Sequence, residues 1–258
     1  MAIRLAVLGS GSGGNATLID AGSIRLLLDA GFSCRGLVQR LRFVGVEPES
    51  IDALLITHEH TDHVSGAAGF ARSFGVPIYC TPGTGRAAGL EAEGCEVRRV
   101  AAGVTLTLDG VRIEPFAVPH DAVETVGYVL EAGGARLGYA TDLGHGPGSV
   151  RERLGDCDLL ILESNHDVDL LRQGPYPEVV KQRVLSRHGH LDNEAAADLL
   201  CEVAWERTQA VVLAHLSRTN NRPDLALAAA RRRFAQHGRK APALHAAEQG
   251  RPTPWFEA

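Results

Sequence analysis

One short segment, residues 57–63 with the sequence Thr-His-Glu-His-Thr-Asp-His, limits what this chain can fold into more than any other. An apolar run that predicts a buried strand leads directly into it, so its polar side chains are expected on a tight loop at the strand end. His58 and His60, two residues apart, can point the same way and bind one metal ion. Asp62 and His63 can turn towards a second ion. We therefore interpret the segment as a metal-binding loop.

Three further polar residues follow apolar runs elsewhere in the chain. They are His120, Asp142 and His215. Taken alone, each would more often be a solvated strand end or a hydrogen-bonded histidine than a ligand. A site for two metal ions needs about two or three protein ligands for each ion and a bridging carboxylate. The first loop and these three residues together supply that number.

Apolar patterns along the chain predict two halves, each with strands followed by helices. In the first half we expect strands at 3–8, 17–20, 24–29, 53–57 and 76–80, and helices at 35–43 and 65–74. In the second half we expect strands around 104–113 and at 126–131, 135–141, 159–163 and 210–214, and helices at 193–207 and 225–234. Two such halves, stacked sheet to sheet with helices outside, make an α/β fold of four layers, an αββα sandwich. The loops at the strand ends would meet along one edge.

A glycine-rich segment at 9–15 formally matches a dinucleotide-binding fingerprint, G-x-G-x-x-G, at Gly9, Gly11 and Gly14. Asp29 even stands about twenty residues further on, as that fingerprint requires. The fingerprint also needs a helix straight after the glycines. Residues 16–29 instead predict a pair of short strands, so we reject nucleotide binding at this loop.

The chain has 258 residues, of which 45% are hydrophobic and 22% charged, enough to bury the core of one large domain. We place that single domain at residues 1–236. Residues 237–258 are rich in alanine and proline and predict a loosely ordered tail, docked through Trp255 and Phe256.

Composition also excludes some classes of protein. No run of about 18 apolar residues could cross a bilayer, and the first residues do not resemble a signal peptide, so we expect a cytoplasmic protein with no membrane partner. The five cysteines are an odd number without a Cys-x-x-Cys pair, which indicates buried reduced thiols rather than disulfides or a thiolate metal site.

The net charge of -5 argues against a protein that coats nucleic acid nonspecifically, because such binding is largely electrostatic. It leaves room for a local basic groove. A set of arginines could form a basic rim, or could equally be solvated helix faces. They are arginines 183, 187, 218, 222 and 231–233.

The histidine loop resembles the signature His-x-His-x-Asp-His of the metallo-β-lactamase-fold hydrolases, and the resemblance covers nearly the whole chain. By position, His120 resembles the third histidine of that superfamily, Asp142 its bridging aspartate and His215 its last histidine. The common zinc β-lactamases carry a cysteine where Asp142 stands, which points away from β-lactam substrates. The di-iron flavoproteins carry a glutamate where His60 stands, which disfavours a redox or oxygen-binding role.

A closer resemblance, to the YycJ (WalJ) group of DNA-processing hydrolases, rests on four motifs. They are Gly-Ser-Gly-Ser-Gly-Gly-Asn at 9–15, Leu-Glu-Ser-Asn-His-Asp at 162–167, Gly-His-Leu-Asp-Asn at 189–193 and His-Leu-Ser-Arg-Thr-Asn-Asn at 215–221. Asp192 stands where the resemblance predicts a serine. The same stretches are similar, more distantly, to the tRNA 3′-processing endonucleases, in which a glutamate after a strand and a later histidine cooperate in proton transfer. Glu163 and His190 match those two positions.

The residues themselves agree with that match. Glu163 closes a predicted strand and His190 directly precedes a predicted helix, so a carboxylate could orient an imidazole beside the metal loops. The alternative is that Glu163 caps a helix or pairs with an arginine. His188, His166 and Asp167 stay open between site and loop roles. Three later side chains could donate hydrogen bonds to a phosphate, or simply turn the chain ahead of a proline: Ser217, Asn220 and Asn221.

The resemblance implies a hydrolase with two divalent metal ions, zinc or manganese, and iron is also acceptable to nitrogen and oxygen ligands. One ion would be held by His58, His60 and His120, the other by Asp62, His63 and His215, with Asp142 bridging. Water between the ions would become hydroxide and attack a phosphodiester. His190, positioned by Glu163, would protonate the leaving oxygen. The predicted catalytic residues are therefore Asp62, Glu163 and His190.

The implied substrate is nucleic acid, and through the YycJ (WalJ) group the implied activity is that of a DNA exonuclease. Hydrolysis of a small ester, lactone or thioester at the same site is the alternative. A metal-free binding module is disfavoured, because all seven candidate ligands are present. The sequence leaves the oligomeric state open.

Overall fold

The computed structural model describes residues 2–258 and contains two mixed seven-stranded β-sheets. The strands of the first sheet, in chain order, are β1 (Arg4–Gly9), β2 (Ala16–Asp20), β3 (Arg25–Leu28), β4 (Ala53–Leu55), β5 (Ile78–Cys80) and β6 (Val97–Arg99). Those of the second are β7 (Leu106–Leu108), β8 (Val111–Ala117), β9 (Val126–Ala132), β10 (Ala135–Ala140), β11 (Leu159–Glu163), β12 (Ala210–Ala214) and β13 (Ala243–Ala246). The last strand, β14 (Phe256–Glu257), returns to the first sheet.

Helices connect many of the strands, and several of them cover the outer faces of the sheets. They are α1 (Cys34–Phe43), α2 (Thr61–Val64), α3 (Ala67–Phe74), α4 (Pro82–Ala87), α5 (Gly148–Leu154), α6 (Val168–Gln173), α7 (Glu178–Val184), α8 (Asn193–Val203) and α9 (Pro223–Gln236), with one 3-10 helix at Pro48–Ser50. Within the described residues, no helix is long and apolar enough to span a membrane.

The two sheets have matching arrangements. The first runs β14-β1-β2-β3-β4-β5-β6 and the second β13-β12-β11-β10-β9-β8-β7. Each sheet contains four neighbouring strands that run parallel to one another. They are β3, β4, β5 and β6 in the first sheet and β10, β11, β12 and β13 in the second. Because the carboxyl ends of parallel strands lie at the same edge of a sheet, the loops that follow β4, β10, β11 and β12 gather there.

Alternation of apolar side chains along the strands produces three separate apolar layers. In β11, Leu159 and Ile161 pack between the sheets, whereas Leu160 and Leu162 face α5, α8 and α9. In β3, Leu27 faces the layer below α1 and α3. Every strand residue of β11 is buried, as in a strand covered on both faces. The structure thus confirms the predicted four-layer αββα sandwich.

Some predicted boundaries were wrong. The helix expected at 193–207 ends at Val203, because Ala204 already has extended backbone angles. Its start is fixed by Asp192, whose Oδ1 accepts hydrogen bonds from the amides of Glu194 and Ala195 at 2.9 and 2.8 Å. The helix expected from residue 65 begins at Ala67. The short helices α4 to α7 were not predicted.

The segment from 237 to 258 differs from the loosely ordered tail expected from its composition. It contributes β13, parallel to β12, and β14, antiparallel to β1. Phe256 is buried opposite Leu5, and the indole of Trp255 donates a hydrogen bond to the carbonyl of Val44. The boundary at residue 236 stays a prediction.

The glycine-rich loop at 9–15 connects β1 to β2, two antiparallel neighbours, so a strand follows it and not a helix. This arrangement agrees with the rejection of a dinucleotide site. All five cysteines lie in the described part of the chain and are free thiols. Cys80, Cys157 and Cys201 are buried, whereas Cys34 and Cys95, which we also expected to be buried, are partly exposed.

Candidate metal centre

The seven predicted metal ligands lie together at the edge where the two sheets meet. The loop after β4 carries His58 and His60, and Asp62 and His63 lie on the single turn of α2. The other three ligands follow strands of the second sheet. His215 comes directly after β12, and Asp142 and His120 stand within a few residues of the ends of β10 and β8. Asp142 and His215 have left-handed backbone angles, φ 55° and 57°. Such strained conformations are often found at functional sites.

The first group of ligand atoms comes from His58, His60 and His120, whose available atoms lie within 4.8 Å of one another. Nδ1 of His58 lies 2.9 Å from the hydroxyl of Thr57, and Nδ1 of His120 lies 3.2 Å from the carbonyl oxygen of Gly189. These contacts leave Nε2 of both rings directed into the centre. Nε2 of His120 lies 3.3 Å from Nδ1 of His60.

The second group comes from Asp62, His63 and His215. Oδ2 of Asp62 lies 3.3 Å from Nε2 of His215 and 3.5 Å from Nε2 of His63. Asp142 stands between the two groups. Its Oδ2 lies 3.1 Å from Nε2 of His63, and its Oδ1 lies 3.7 Å from Nε2 of His120.

Two buried atoms of this cluster test whether it fits a cation. Nε2 of His58 has no hydrogen-bond partner among residues 2–258, and the contact of Oδ2 of Asp142 with Nε2 of His63 lacks the geometry of a hydrogen bond. A buried polar atom without a partner is unfavourable by about 1–3 kcal/mol. Divalent metal ions are bound by such converging imidazole nitrogens and carboxylate oxygens. The histidine and aspartate clusters therefore fit a divalent metal site.

Asp29, directly after β3, contacts the candidate centre and was not among the residues predicted from the sequence. Its fully buried Oδ2 lies 2.8 Å from Nδ1 of His63, and its Oδ1 accepts a hydrogen bond from the amide of Thr57. A carboxylate behind a ligating histidine fixes its ring and leaves the other nitrogen free for metal. In the sequence, Asp29 is otherwise part only of the rejected dinucleotide pattern. Its position after an apolar strand, like that of Asp142, was the available signal.

Glu163, the last residue of β11, is fully buried and uses both oxygens. Oε1 lies 2.8 Å from Nδ1 of His190 and 2.9 Å from Nδ1 of His215. Oε2 accepts hydrogen bonds from the amides of Leu143 and Leu191. Burial raises the pKa of Glu163, but the positive charge of His190 and the hydrogen bonds from both rings lower it to about 2. The carboxylate therefore stays ionised and holds both imidazoles in place.

The carboxylates also change the protonation of the histidines. Burial lowers the pKa of His215, but Asp142, Asp62 and Glu163 raise it to about 10. Burial likewise raises the pKa of Asp142, yet His215 and His63 hold it well below its usual range. Without a cation, then, protons on the histidines balance the negative charge of the cluster.

The glycine-rich loop supports the centre from one side. The Nδ2 atom of Asn15 lies 3.3 Å from Oδ2 of Asp62 and 3.0 Å from Nε2 of His63. The hydroxyl of Ser10 donates to Oδ1 of Asn15 and accepts a hydrogen bond from the amide of His215.

A residue from the last segment of the chain fixes this loop. Oε1 of Gln249 accepts a hydrogen bond from the amide of Gly13, and its Nε2 donates to the carbonyl of Gly14, both at 2.7 Å. A backbone φ of +144° at Gly14 suits glycine alone. The sequence carried no signal that Gln249 would reach this loop, because the two are more than 230 residues apart.

The residues predicted to bind substrate are mostly enclosed. The side-chain Nδ2 of Asn221 donates hydrogen bonds to the carbonyl of Ser164 and to Oδ1 of Asn193. Asn220 is 1% exposed. This burial favours the second interpretation of these asparagines, which is that they turn the chain. Ser217 is also buried, and both Ser217 and Asn221 line a cavity beside the centre.

Other residues that the sequence left open now have positions. His188 is exposed, whereas His190 is partly exposed and faces the centre. Asp167 caps α6 by accepting hydrogen bonds from the amides of Asp169 and Leu170. His166 is buried, and neither of its ring nitrogens has a hydrogen-bond partner among residues 2–258.

Comparison with known proteins is consistent with a metal centre at this edge of the sheets. Residues 24–216 match the β-lactamase superfamily domain. Exodeoxyribonuclease WalJ of Streptococcus pneumoniae serotype 2 is 34% identical to the chain over 228 residues, which cover 86% of this chain and 85% of the relative. The chain belongs to the YycJ (WalJ) group of the metallo-β-lactamase superfamily. This result confirms the family predicted from the motifs, which is a family of metal-dependent hydrolases.

Two further comparisons extend the assignment. Ribonuclease Z of Mycobacterium bovis is 31% identical over 178 residues, covering 54% of this chain and 62% of the relative, which confirms the more distant resemblance. The crystal structure of the metallo-β-lactamase fold protein YhfI from Bacillus subtilis superposes with a TM-score of 0.73 over 100% of both chains at 21% identity. At that identity the likeness shows the fold alone.

Proposed function

We propose that this chain is a phosphodiesterase that uses two divalent metal ions to cut nucleic acid, and that it acts on DNA as an exonuclease. The observation that carries the proposal is the pair of ligand groups that meet at Asp142, with His190 held beside them by Glu163. The exodeoxyribonuclease name of the relative WalJ supports the choice of DNA and of exonuclease activity.

The ligand groups suggest an assignment for the two ions. One would be held by His58, His60 and His120, the other by Asp62, His63 and His215, and Asp142 would contact both. When bound, two cations supply positive charge that polarises the phosphoryl oxygens and activates water for attack. Zinc and manganese both suit this set of nitrogen and oxygen donors, and so does iron.

His190 would act on the leaving group. Its Nδ1 is occupied by Glu163, so its Nε2 is the nitrogen that remains for a proton transfer. The side chain is 18% exposed, in contrast to the fully buried Glu163, and a substrate oxygen could reach it. We infer that His190 donates a proton to the departing oxygen and that Glu163 is its positioning residue.

The structure and the free thiols are compatible with a cytoplasmic nuclease, since reduced cysteines are usual in that compartment. We keep cytoplasmic location as part of the proposal.

An assay of purified protein with manganese or zinc tests the proposal. End-labelled double-stranded DNA, single-stranded DNA and RNA would be compared with a chromogenic phosphodiester, small esters, a lactone, a thioester and a β-lactam. We expect mononucleotide release from DNA and loss of that activity in Asp62→Ala. Activity on the ester, lactone or thioester without activity on DNA would replace the proposal with the small-molecule alternative.

Metal content gives a second readout. Elemental analysis of the loaded protein is expected to find two ions per chain. A single ion per chain would contradict the two-metal assignment, and full activity of Asp62→Ala would contradict the catalytic centre itself.

A further inference from the structure

A cavity of about 610 Å³ lies directly beside the metal centre. Its walls come from the glycine-rich loop, the loop after β12 and the last segment of the chain. Two lining residues connect it to the centre. Ser10 accepts a hydrogen bond from the amide of His215 at 2.7 Å, and Ser217 stands two residues after that histidine. The cavity therefore adjoins the loop that carries His215.

The cavity is rich in arginine. Arg40, Arg218 and Arg222 line it, together with one carboxylate, Glu248. Arg222 pairs with Asp224. Within residues 2–258, the structure gives neither Arg40 nor Arg218 a carboxylate partner, so their charge is available to an anion.

Arg40 is held in a fixed position. It donates hydrogen bonds to the carbonyl oxygens of Leu8 and Gln249, at 2.8 and 3.2 Å, and its guanidinium lies 3.9 Å from the ring centroid of Phe32. Burial lowers its pKa, as expected for a partly desolvated cation without a neutralising partner. Arginine in such a fixed position is well suited to bind phosphate, because its planar group presents several donors at once.

We propose that this cavity binds a nucleotide of the substrate strand next to the one cut at the metal centre, with Arg40 and Arg218 contacting its phosphate. The volume lies in the range of small-ligand sites, about 300–1,000 Å³. The hydroxyl of Ser217 accepts a hydrogen bond from the amide of Asn220, and its own proton is left to donate to a phosphate oxygen. This inference rests on the proposed function and names the part of the substrate that the centre itself does not contact.

Such a second contact would distinguish a polymer from a small phosphodiester. Only a substrate longer than one nucleotide could occupy both the metal centre and the cavity. Each phosphate contact also makes binding weaker as salt rises.

Arg218→Glu tests the inference, because Arg218 is exposed and its replacement leaves the core intact. The matched control is Arg231→Glu, an exposed arginine on α9 outside the cavity, which changes the net charge equally. We expect Arg218→Glu to raise the KM for a single-stranded oligonucleotide about tenfold or more, and to reduce the slope of log affinity against log salt by about one unit. Binding of the oligonucleotide, followed by fluorescence anisotropy, should weaken in parallel. For bis(p-nitrophenyl) phosphate, kcat and KM should change much less than they do for the oligonucleotide.

The two substrates separate failure of this inference from failure of the proposed function. Oligonucleotide binding and KM that are equal in Arg218→Glu and Arg231→Glu would overturn the cavity site, whatever the activity of the centre. If the wild type cut neither substrate, the proposed function would fail, and the anisotropy comparison would still decide whether the cavity binds a strand. A parallel loss of bis(p-nitrophenyl) phosphate activity in Arg218→Glu would also overturn the inference, because the residue would then act at the centre.

Discussion

Nδ1 of His190 lies 2.8 Å from Oε1 of Glu163, and the same oxygen lies 2.9 Å from Nδ1 of His215. One buried carboxylate thus orients both the proposed proton donor and a proposed metal ligand. The consequence is an asymmetry between the two partners of the first contact. Loss of Glu163 should disturb metal binding and proton transfer together, whereas loss of His190 should disturb proton transfer alone.

His190→Ala is expected to lower kcat for DNA cleavage by about 10²–10⁴-fold, the usual contribution of a general acid. Metal content should stay at the wild-type value. His188→Ala is the matched control, because this neighbouring histidine is exposed, and it should keep wild-type kcat. Glu163→Gln should lower both kcat and metal affinity. Equal loss of bound metal in His190→Ala and Glu163→Gln would show that His190 is a ligand instead.

Asp29→Asn tests the residue behind His63. Asparagine accepts left-handed backbone angles and so preserves the turn at φ 60°. If its Oδ1 keeps the hydrogen bond from the backbone amide of Thr57, its Nδ2 faces Nδ1 of His63 and donates a hydrogen bond there instead of accepting one. The ring would favour the tautomer whose Nε2 carries hydrogen, and metal affinity should fall about 10–100-fold. The measurement is competition with a chelator. Asp109→Asn, at another left-handed aspartate in an exposed turn, should leave the affinity unchanged.

Gln249→Ala should weaken metal binding from a distance. Its two hydrogen bonds hold Gly13 and Gly14, and the adjoining Asn15 contacts both Asp62 and His63. We expect about tenfold lower metal affinity. The far-ultraviolet circular dichroism spectrum should be like that of the wild type. Gln236→Ala, at an exposed glutamine near the end of α9, provides the comparison. Unchanged metal affinity in Gln249→Ala would leave the hydrogen bonds with a role in loop shape only.

Metal binding should release protons. In the metal-free protein, neighbouring carboxylates raise the pKa of His215 to about 10, so the ring is protonated below that pH, whereas a metal ligand must be neutral. Metal affinity should therefore rise as pH increases from 6 to 9. Calorimetric titrations at one pH, in buffers of different ionisation enthalpy, would measure the released protons. A buffer-independent enthalpy would contradict the expected release.

Sequence reasoning was strongest where the determining pattern was local. The loop at 57–63 and the apolar strands before Asp142 and His215 each lie within a few residues, and strand ends in an α/β fold meet at one edge. The full burial of β11 was likewise visible in its continuous apolar run. These local patterns sufficed for the four-layer fold and for the residues that gather at the centre.

Contacts between distant segments were not accessible in this way. Asp29 and His63 are 34 positions apart, and Gln249 lies 236 positions after Gly13. The strand β14 has only two residues, and it exists because β1 offers it hydrogen bonds. Asn220 and Asn221 were predicted to donate to a phosphate or to turn the chain, since their sequence shows turn formers but not the segments that cover them.

The strands β13 and β14 complete one edge of each sheet, and Gln249 lies between them. A chain emerging from the ribosome can thus form the inner strands of both sheets early, but it cannot finish the second sheet until residue 246 has been made, or the first until residue 257 has been made. The loop that supports Asp62 and His63 waits for the same segment. Synthesis of the nascent chain and completion of its metal centre are in this way coupled in time. A nascent chain stalled on the ribosome before residue 249 would contain all seven proposed ligands. It would still lack the contact from Gln249 that fixes their supporting loop.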